Sequence, residues 1–256
     1  MKRFRLLLML LIATFIANAQ ANYTFDHGAI IRGDSTQKQI ALVFTADEWY
    51  EGLDTILKSL QAENIRASFF FTGKLLKQNG ANSPVRLLLA GNNYIGSHSF
   101  GHLLYCDWED RNKLLVSMDS FKTDLNESYR LLKSFSLYKK DVKYFLPPYE
   151  WFNDSSAKWT KSEGLQLVNF TPGTYSNADY TTPSMGKRYL SSQEIFKRII
   201  SFEMKNRSGL NGFILLLHAG TDPARTDKFY FKLRELISVL KSRGYDFVRI
   251  DELLKQ

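Results

Sequence analysis

The 256-residue chain is notable first for what it lacks. It has one cysteine, Cys106, so no intramolecular disulfide can form and the fold must depend on its hydrophobic core. After residue 20 there is no apolar run of about 18 residues or more, the length that a membrane-spanning helix needs. The net charge of +8 is spread along the chain with no Lys/Arg block and no nucleic-acid motif. We therefore predict a solvated, basic surface and no nucleic-acid partner.

The first residues have the pattern of an export signal. Basic residues at positions 2, 3 and 5 precede an apolar segment over 6–16, and Ala-Asn-Ala at 17–19 fits a cleavage site. The pattern predicts a signal peptide over 1–19, a secreted or periplasmic protein, and no stable membrane insertion after cleavage. A non-cleaved anchor is the alternative, and the short apolar segment disfavours it. Cleavage would leave a charge of 8 − 3 = +5.

Beyond a polar lead-in over 20–38, apolar runs alternate with amphipathic stretches. Such alternation predicts right-handed crossovers and a parallel sheet. We predict one α/β domain over 39–256, with seven units that suit a closed or nearly closed barrel; an open doubly wound sheet is the alternative. The predicted strands span 40–44, 67–71, 94–97, 144–146, 165–170, 213–217 and 247–250, and a long helical pattern spans roughly 111–132.

Polar residues gather where several of these strands end. In both candidate folds, chemistry is expected at the carboxyl ends of the strands. Three of the four histidines are there: His98 and His102 after the third strand, and His218 after the sixth. Two histidines four residues apart can direct their rings to one metal ion, with a carboxylate as a further ligand. Hydrogen-bonded structural histidines are the competing interpretation.

The first strand ends beside two adjacent carboxylates, Asp47 and Glu48. One could bind the metal while the other takes a proton from metal-bound water; alternatively, either could cap a helix starting near Trp49. His218 follows a fully apolar strand, where a polar group needs a partner or a function. We interpret it as a general acid held as imidazolium by Asp179 or Asp222, with a satisfied structural histidine as the alternative.

Aromatic residues are frequent in the same predicted loops. Trp108, Tyr149 and Trp151 follow the strand ends, with Trp49 and Tyr105 nearby. Aromatic faces can stack on sugar rings, so the first three are candidate substrate-binding residues. Ordinary packing beneath long loops is the other interpretation.

These motifs together resemble those of polysaccharide deacetylases of the NodB-homology type, carbohydrate esterase family 4, over residues 40–254. Gly-Ser-His-Ser-Phe-Gly-His at 96–102 is similar to the family's His-(Ser/Thr)-x-x-His metal motif. Leu-Pro-Pro-Tyr at 146–149 resembles its Arg-Pro-Pro-Tyr motif, and Leu-Leu-Leu-His at 215–218 resembles its Leu-x-His motif. Residues 244–253 match its closing strand and helix.

The resemblance implies a distorted (β/α)7 barrel that hydrolyses acetyl groups with a divalent metal, zinc first, cobalt or nickel as alternatives. In that scheme a metal-held water attacks the acetyl carbonyl, the backbone N–H of Tyr149 stabilises the oxyanion, and His218 protonates the leaving group. With Asp47, His98 and His102 as ligands, Glu48 is the base. We favour Asp47 as ligand because its shorter side chain fixes a metal more tightly, but the reverse assignment remains open.

Five positions depart from the family pattern and mark a divergent branch. A direct alignment puts Thr45 and Ala46 where the family's two aspartates belong, so Asp47 and Glu48 fill those roles only if the motif slips along the chain. The arginine that orients the base is replaced by Leu146. Glu150 stands where the family has glycine, and Ala219 stands where it has aspartate.

Three functions follow from these observations. The leading hypothesis is a metal-dependent hydrolase that removes acetyl groups from a polysaccharide substrate, either N-acetyl or O-acetyl, from peptidoglycan, chitin-type or xylan-type chains. The second is a catalytically weak glycan-binding protein on the same barrel, which Leu146 and the altered first motif favour. The third, hydrolysis of a small non-sugar amide, is mildly disfavoured by the aromatic loops.

Overall fold

The computed structural model describes residues 22–255, so the predicted signal peptide lies outside the described residues. Within these residues, nine strands form one sheet. Their bounds are β1 Thr24–Asp26, β2 Ala29–Arg32, β3 Gln39–Ala46, β4 Ser68–Phe71, β5 Tyr94–Ser97, β6 Tyr144–Phe145, β7 Gln166–Leu167, β8 Phe213–His218 and β9 Asp246–Val248.

The sheet is built around β3, which is buried along nearly its whole length. Its strand order is β1-β2-β8-β3-β4-β5-β6-β7, and β9 also pairs with β3. The seven strands β3 to β9 are mutually parallel and correspond to the seven predicted ones. Their nearly continuous apolar sequences, such as Phe-Ile-Leu-Leu-Leu in β8, are typical of parallel strands that are covered on both faces.

The predicted polar lead-in belongs to the folded domain, because its described part supplies the hairpin β1–β2. Strand β2 pairs antiparallel with β8 through Arg32 and Phe213. Ile30 also forms a parallel bridge with Val168, just after β7, and its carbonyl accepts the Asn169 N–H at 2.9 Å. The two ends of the sheet therefore meet across β2. The sequence missed this strand because it contains only two fully buried residues, Ala29 and Ile30, among polar neighbours.

Helices pack on the outside of the curled sheet. Ser191 caps the helix that begins at Ser192, where its hydroxyl accepts the Glu194 N–H at 3.1 Å. The helices are α1 Leu53–Ala62, α2 Gly73–Leu76, α3 Asn82–Ala90, α4 Met118–Lys133, α5 Asp154–Ser162, α6 Ser192–Lys205, α7 Leu233–Ser242 and α8 Ile250–Leu253. Short 3₁₀ turns lie at Pro148–Glu150, Ser176–Tyr180, Pro183–Arg188 and Phe229–Lys232.

The helix predicted over 111–132 is shorter than its apolar pattern suggested. It begins at Met118, where the Ser117 hydroxyl accepts the Ser120 N–H at 3.1 Å. Leu114 instead forms an isolated antiparallel bridge with Cys106. A strong N-cap residue inside a periodic pattern therefore set the helix start.

The observed fold confirms the predicted single α/β domain with a distorted barrel of parallel strands, and the open doubly wound alternative is wrong. Within residues 22–255, no helix is both long and apolar enough to cross a bilayer. Because β3, β5, β6 and β8 run in the same direction, the segments that follow them meet at one end of the barrel.

Candidate active site

A cavity of about 720 Å³ opens at this end of the barrel. Eight of the ten predicted site residues line it, together with Thr45 and Glu150. The remaining two, Trp151 and Asp179, contact lining residues from behind. The eight are Asp47, Glu48, His98, His102, Trp108, Tyr149, His218 and Asp222.

His98 is fixed in one orientation at the floor of the cavity. Its Nδ1 lies 2.9 Å from the Leu146 carbonyl, which can only accept, so Nδ1 carries the proton. Burial and the neighbouring His102 hold the pKa of His98 well below its usual value, although the bond to Leu146 acts in the opposite direction. The ring is therefore neutral near pH 7, and Nε2 presents a lone pair.

His102 comes from a tight loop that α4 holds in place. The backbone at Ser99 and His102 has positive φ angles of 70° and 54°. The buried Asp124 carboxylate of α4 accepts the Phe100 N–H at 3.0 Å and the Gly101 N–H at 2.7 Å. These bonds stabilise an otherwise strained loop and place the His102 ring over the cavity.

The two imidazoles face each other in a way that suits a shared cation. Their Nε2 atoms are 3.3 Å apart. Burial also lowers the pKa of His102, despite the opposing effect of Asp47, so two lone pairs meet unless a proton or a metal lies between them. Two nitrogen ligands of one tetrahedral zinc ion, each at about 2.1 Å, would lie roughly 3.4 Å apart. The histidine pair fits such an ion.

The two carboxylates predicted beside the histidine pair are not both placed to bind a metal. Asp47 Oδ2 lies 3.6 Å from His102 Nδ1, and Asp47 Oδ1 accepts the Thr72 hydroxyl at 2.9 Å. Glu48 is exposed at the rim, and its hydrogen bond from Gln78 uses the backbone carbonyl. Among residues 22–255, no three His, Cys, Asp or Glu side chains are arranged to hold a metal. The two histidines are therefore in position, while the third ligand is not.

Neither acidic residue caps a helix. Helix α1 begins only at Leu53, with Gly52 at its N-cap and no side-chain capping bond. The capping interpretation of Asp47 and Glu48 is therefore wrong, and both side chains face the cavity.

His218 ends β8 directly opposite Thr45 of β3. Asp179 holds it twice: Oδ1 lies 2.6 Å from Nδ1, and Oδ2 accepts the backbone N–H at 2.9 Å. Burial alone would lower the pKa of His218, but the Asp179 carboxylate, with Glu150 adding to its effect, raises it. Asp222 has a different task, since its Oδ1 accepts the Ala224 N–H at 2.8 Å within its own loop. Of the two candidates, Asp179 is the carboxylate in contact with His218.

Sequence reasoning missed the role of Glu150, which it noted only as a departure from glycine. Tyr149 and Glu150 both have positive φ angles, of 59° and 53°, and this backbone turn directs the Glu150 side chain inward. That side chain is 10% exposed, with Oε1 3.9 Å from His98 Nε2. Burial raises the pKa of Glu150 to about 7, with His218 opposing and Asp179 adding to the rise. The sequence did contain a signal for this residue, because a glutamate replaces the family's glycine directly after the motif tyrosine.

The aromatic candidates form a continuous surface beside the histidines. The Trp108 and Trp151 rings stack at 5.6 Å between centroids, and Tyr149 meets Trp108 edge-on at 5.7 Å. The Tyr149 ring also lies 4.3 Å from that of His102. Trp108 and Tyr149 are 55% and 44% exposed, so their faces are open to a ligand. The surface leads from the cavity floor outward.

Comparison with known proteins identifies the family. The sequence model of polysaccharide deacetylases matches residues 32–168, more than half of the chain. The chain belongs to the polysaccharide deacetylase family. This confirms the resemblance predicted from the motifs.

Curated relatives include two named deacetylases. A peptidoglycan-N-acetylglucosamine deacetylase of Bacillus cereus is 25% identical over 222 residues, covering 86% of this chain and 90% of that protein. A bifunctional xylanase/deacetylase of Pseudobutyrivibrio xylanivorans is 27% identical over 226 residues, covering 87% of this chain but only 32% of that protein. The chain thus spans about a third of the length of the second relative.

Solved structures of polysaccharide deacetylase relatives have the same fold. A CE4 family pseudoenzyme from Bacillus anthracis superimposes with a TM-score of 0.68 at 21% identity, covering 90% of this chain and 70% of that one. PdaA of Bacillus subtilis, a family 4 carbohydrate esterase, gives a TM-score of 0.67 at 23% identity, with coverages of 89% and 85%. These likenesses support the barrel.

Two of the departures from the polysaccharide deacetylase pattern are buried residues at or next to the cavity. Thr45 is buried, and its hydroxyl has no hydrogen-bond partner among the described residues. Leu146 is fully buried, with its carbonyl committed to His98. With no acidic residue at position 45 or 46, an arginine in place of Leu146 would be a buried charge without that partner. The absence of the family's arginine is therefore consistent with the absence of its aspartates.

Proposed function

We propose that the protein is an exported, metal-dependent carbohydrate deacetylase that removes acetyl groups from a polysaccharide. The observation that carries this proposal is the pair of neutral histidines with Nε2 atoms 3.3 Å apart, in the same cavity as the Asp179-bound His218. Named deacetylases among the relatives support the reaction class.

His98 and His102 would hold the metal through Nε2, with Asp47 as the predicted carboxylate ligand. When bound, a divalent ion, zinc first and cobalt or nickel as alternatives, would act as a Lewis acid towards the acetyl carbonyl and the attacking water. The His98 Nδ1 bond to the Leu146 carbonyl fixes the tautomer that such binding requires.

His218 is suited to protonate the leaving amine or alcohol. Asp179 raises its pKa against the effect of burial, so the imidazolium persists towards neutral pH. The Asp179 bond to Nδ1 leaves Nε2 available to donate into the cavity. The backbone N–H of Tyr149 is the predicted oxyanion donor, and Glu48 is the proton acceptor predicted from the sequence.

The aromatic surface of Trp108, Tyr149 and Trp151 suits a chain of sugar rings better than a small amide. Stacked and edge-on rings present apolar faces of the size of a pyranose, adjacent to the histidines. A substrate of several sugar units could therefore place one acetyl group at the cavity floor.

Acetate release from defined glycans tests the proposal. Purified protein with zinc is assayed on N-acetylated peptidoglycan and chitin fragments, acetylated xylan fragments and the corresponding monosaccharides. We expect release from at least one oligomer, faster than from its monosaccharide, and a drop of at least about 10²-fold in His98→Ala. Glycan binding without acetate release from any substrate would instead favour the glycan-binding alternative.

A further inference from the structure

Four carboxylates face the cavity and are candidates to accept a proton from the attacking water. Asp47 accepts the Thr72 hydroxyl and lies beside His102. Asp222 is bonded to the Ala224 N–H. Glu48 is exposed at the rim. The fourth, Glu150, is different because it is nearly buried at the cavity floor.

The Glu150 carboxylate has no hydrogen bond from any of residues 22–255. Its only ion-pair contact in that part of the chain is with His98 Nε2, 3.9 Å away. A nearly buried carboxylate without a donor is costly to maintain in a stable fold. Its backbone is nevertheless fixed, because the Asn169 Nδ2 donates to the Glu150 carbonyl at 2.8 Å. The carboxylate oxygens thus remain free to accept a hydrogen from a ligand in the cavity.

The last two residues of strand β3 offer no competing acceptor in the cavity. Strand β3 ends in Thr45 and Ala46, neither of which can take up a proton at neutral pH. The Thr45 hydroxyl is buried in the cavity wall and has no partner among residues 22–255, so it can only position a water or a substrate group. Thr45 is paired in register with His218, which places the acid beside the same floor.

We propose that Glu150, and not Glu48, accepts the proton from the water that attacks the acetyl carbonyl. The inference rests on the proposed deacetylase function. Water forms the new C–O bond and gives one proton to the Glu150 carboxylate. The bond from the acetyl carbon to nitrogen, or to oxygen in an ester, then breaks, and His218 supplies a proton to the leaving group. Acetate and the free amine or alcohol are the products, with no oxidant or reductant required.

Matched amide variants test this assignment. Glu150→Gln and Glu48→Gln are compared with wild type for kcat on the best glycan substrate and for zinc affinity by calorimetry. We expect Glu150→Gln to lower kcat by about 10²-fold or more while zinc affinity stays within about twofold, because general acid–base catalysis contributes this much. Glu48→Gln should lose less activity than Glu150→Gln. Glu235→Gln, at an exposed position outside the cavity, is the control and should remain close to wild type.

Zinc affinity also reports whether each variant keeps a folded site. Glu150→Asp, which retains a carboxylate, should keep at least about tenfold more activity than Glu150→Gln; an equal loss would contradict the proposal. So would an active Glu150→Gln, a similar loss in Glu48→Gln, or a parallel loss of zinc affinity, which would make Glu150 a ligand. An active wild type with an active Glu150→Gln overturns only this inference, whereas an inactive wild type overturns the proposed function itself.

Discussion

At the scale of single residues, Glu150 should lower the stability of the fold at every pH at which its carboxylate is charged. Its pKa rises from 4.5 to about 7 on burial, so the folded state favours the protonated form. The resulting stabilisation is complete below about pH 4.5 and is lost as pH rises through about 7. A shift of 7 − 4.5 = 2.5 units corresponds to at most roughly 3 kcal/mol.

We therefore predict that Glu150→Gln raises the melting temperature of the chelator-treated protein at pH 8 more than at pH 5. Calorimetry at the two pH values measures the difference. Glu48→Gln, at an exposed position, is the control and should show the same small effect at both. A Glu150→Gln effect that does not depend on pH would contradict the burial of this charge.

His218 depends on one specific carboxylate. Because Asp179 raises the pKa of His218 against the effect of burial, its loss should lower that pKa. We expect Asp179→Asn to cut kcat by about 10²-fold and to move the alkaline limb of the pH–rate profile to lower pH, since less imidazolium is then available. Asp222→Asn, in the same cavity but bonded to Ala224, is the matched control. Equal effects of the two variants would rule out the assigned pairing.

At the scale of elements, the hairpin β1–β2 is part of the domain. Ile30 is fully buried and bridges to Val168, whereas Phe25 in the same hairpin is 58% exposed. Ile30→Ala should therefore lower the free energy of unfolding by about 2–5 kcal/mol, as large-to-small core substitutions do. Phe25→Ala should change it little. Urea denaturation measures both, and equal small effects would show that the hairpin does not close the barrel.

The elements that sequence predicted well are those with uninterrupted apolar patterns. The run ending at His218 and the run ending at Thr45 are buried parallel strands, as expected. Short or capped elements were harder. Strand β2 has too few apolar residues to stand out, and the Ser117 cap divides a helical pattern that looked continuous. Both failures come from local chemistry overriding periodicity.

At the scale of the whole molecule, the barrel explains why residues distant in sequence could be placed together in advance. Parallel strands send their carboxyl ends to one side, so His98 and His218 could be predicted to share a site. Side-chain roles were less predictable, because they depend on rotamers and burial. The inward direction of Glu150 follows from loop backbone angles that no periodic pattern encodes. The preference for Asp179 over Asp222 follows from a side-chain contact between distant segments.

The most direct test of the central claim is zinc titration of the chelator-treated protein by isothermal calorimetry. The facing Nε2 atoms of His98 and His102 predict one tight site per chain. His98→Ala and His102→Ala should each abolish or severely weaken binding, whereas His27→Ala, outside the cavity, should leave it unchanged. Absence of zinc binding in the wild type, or unchanged binding in both cavity variants, would contradict the account.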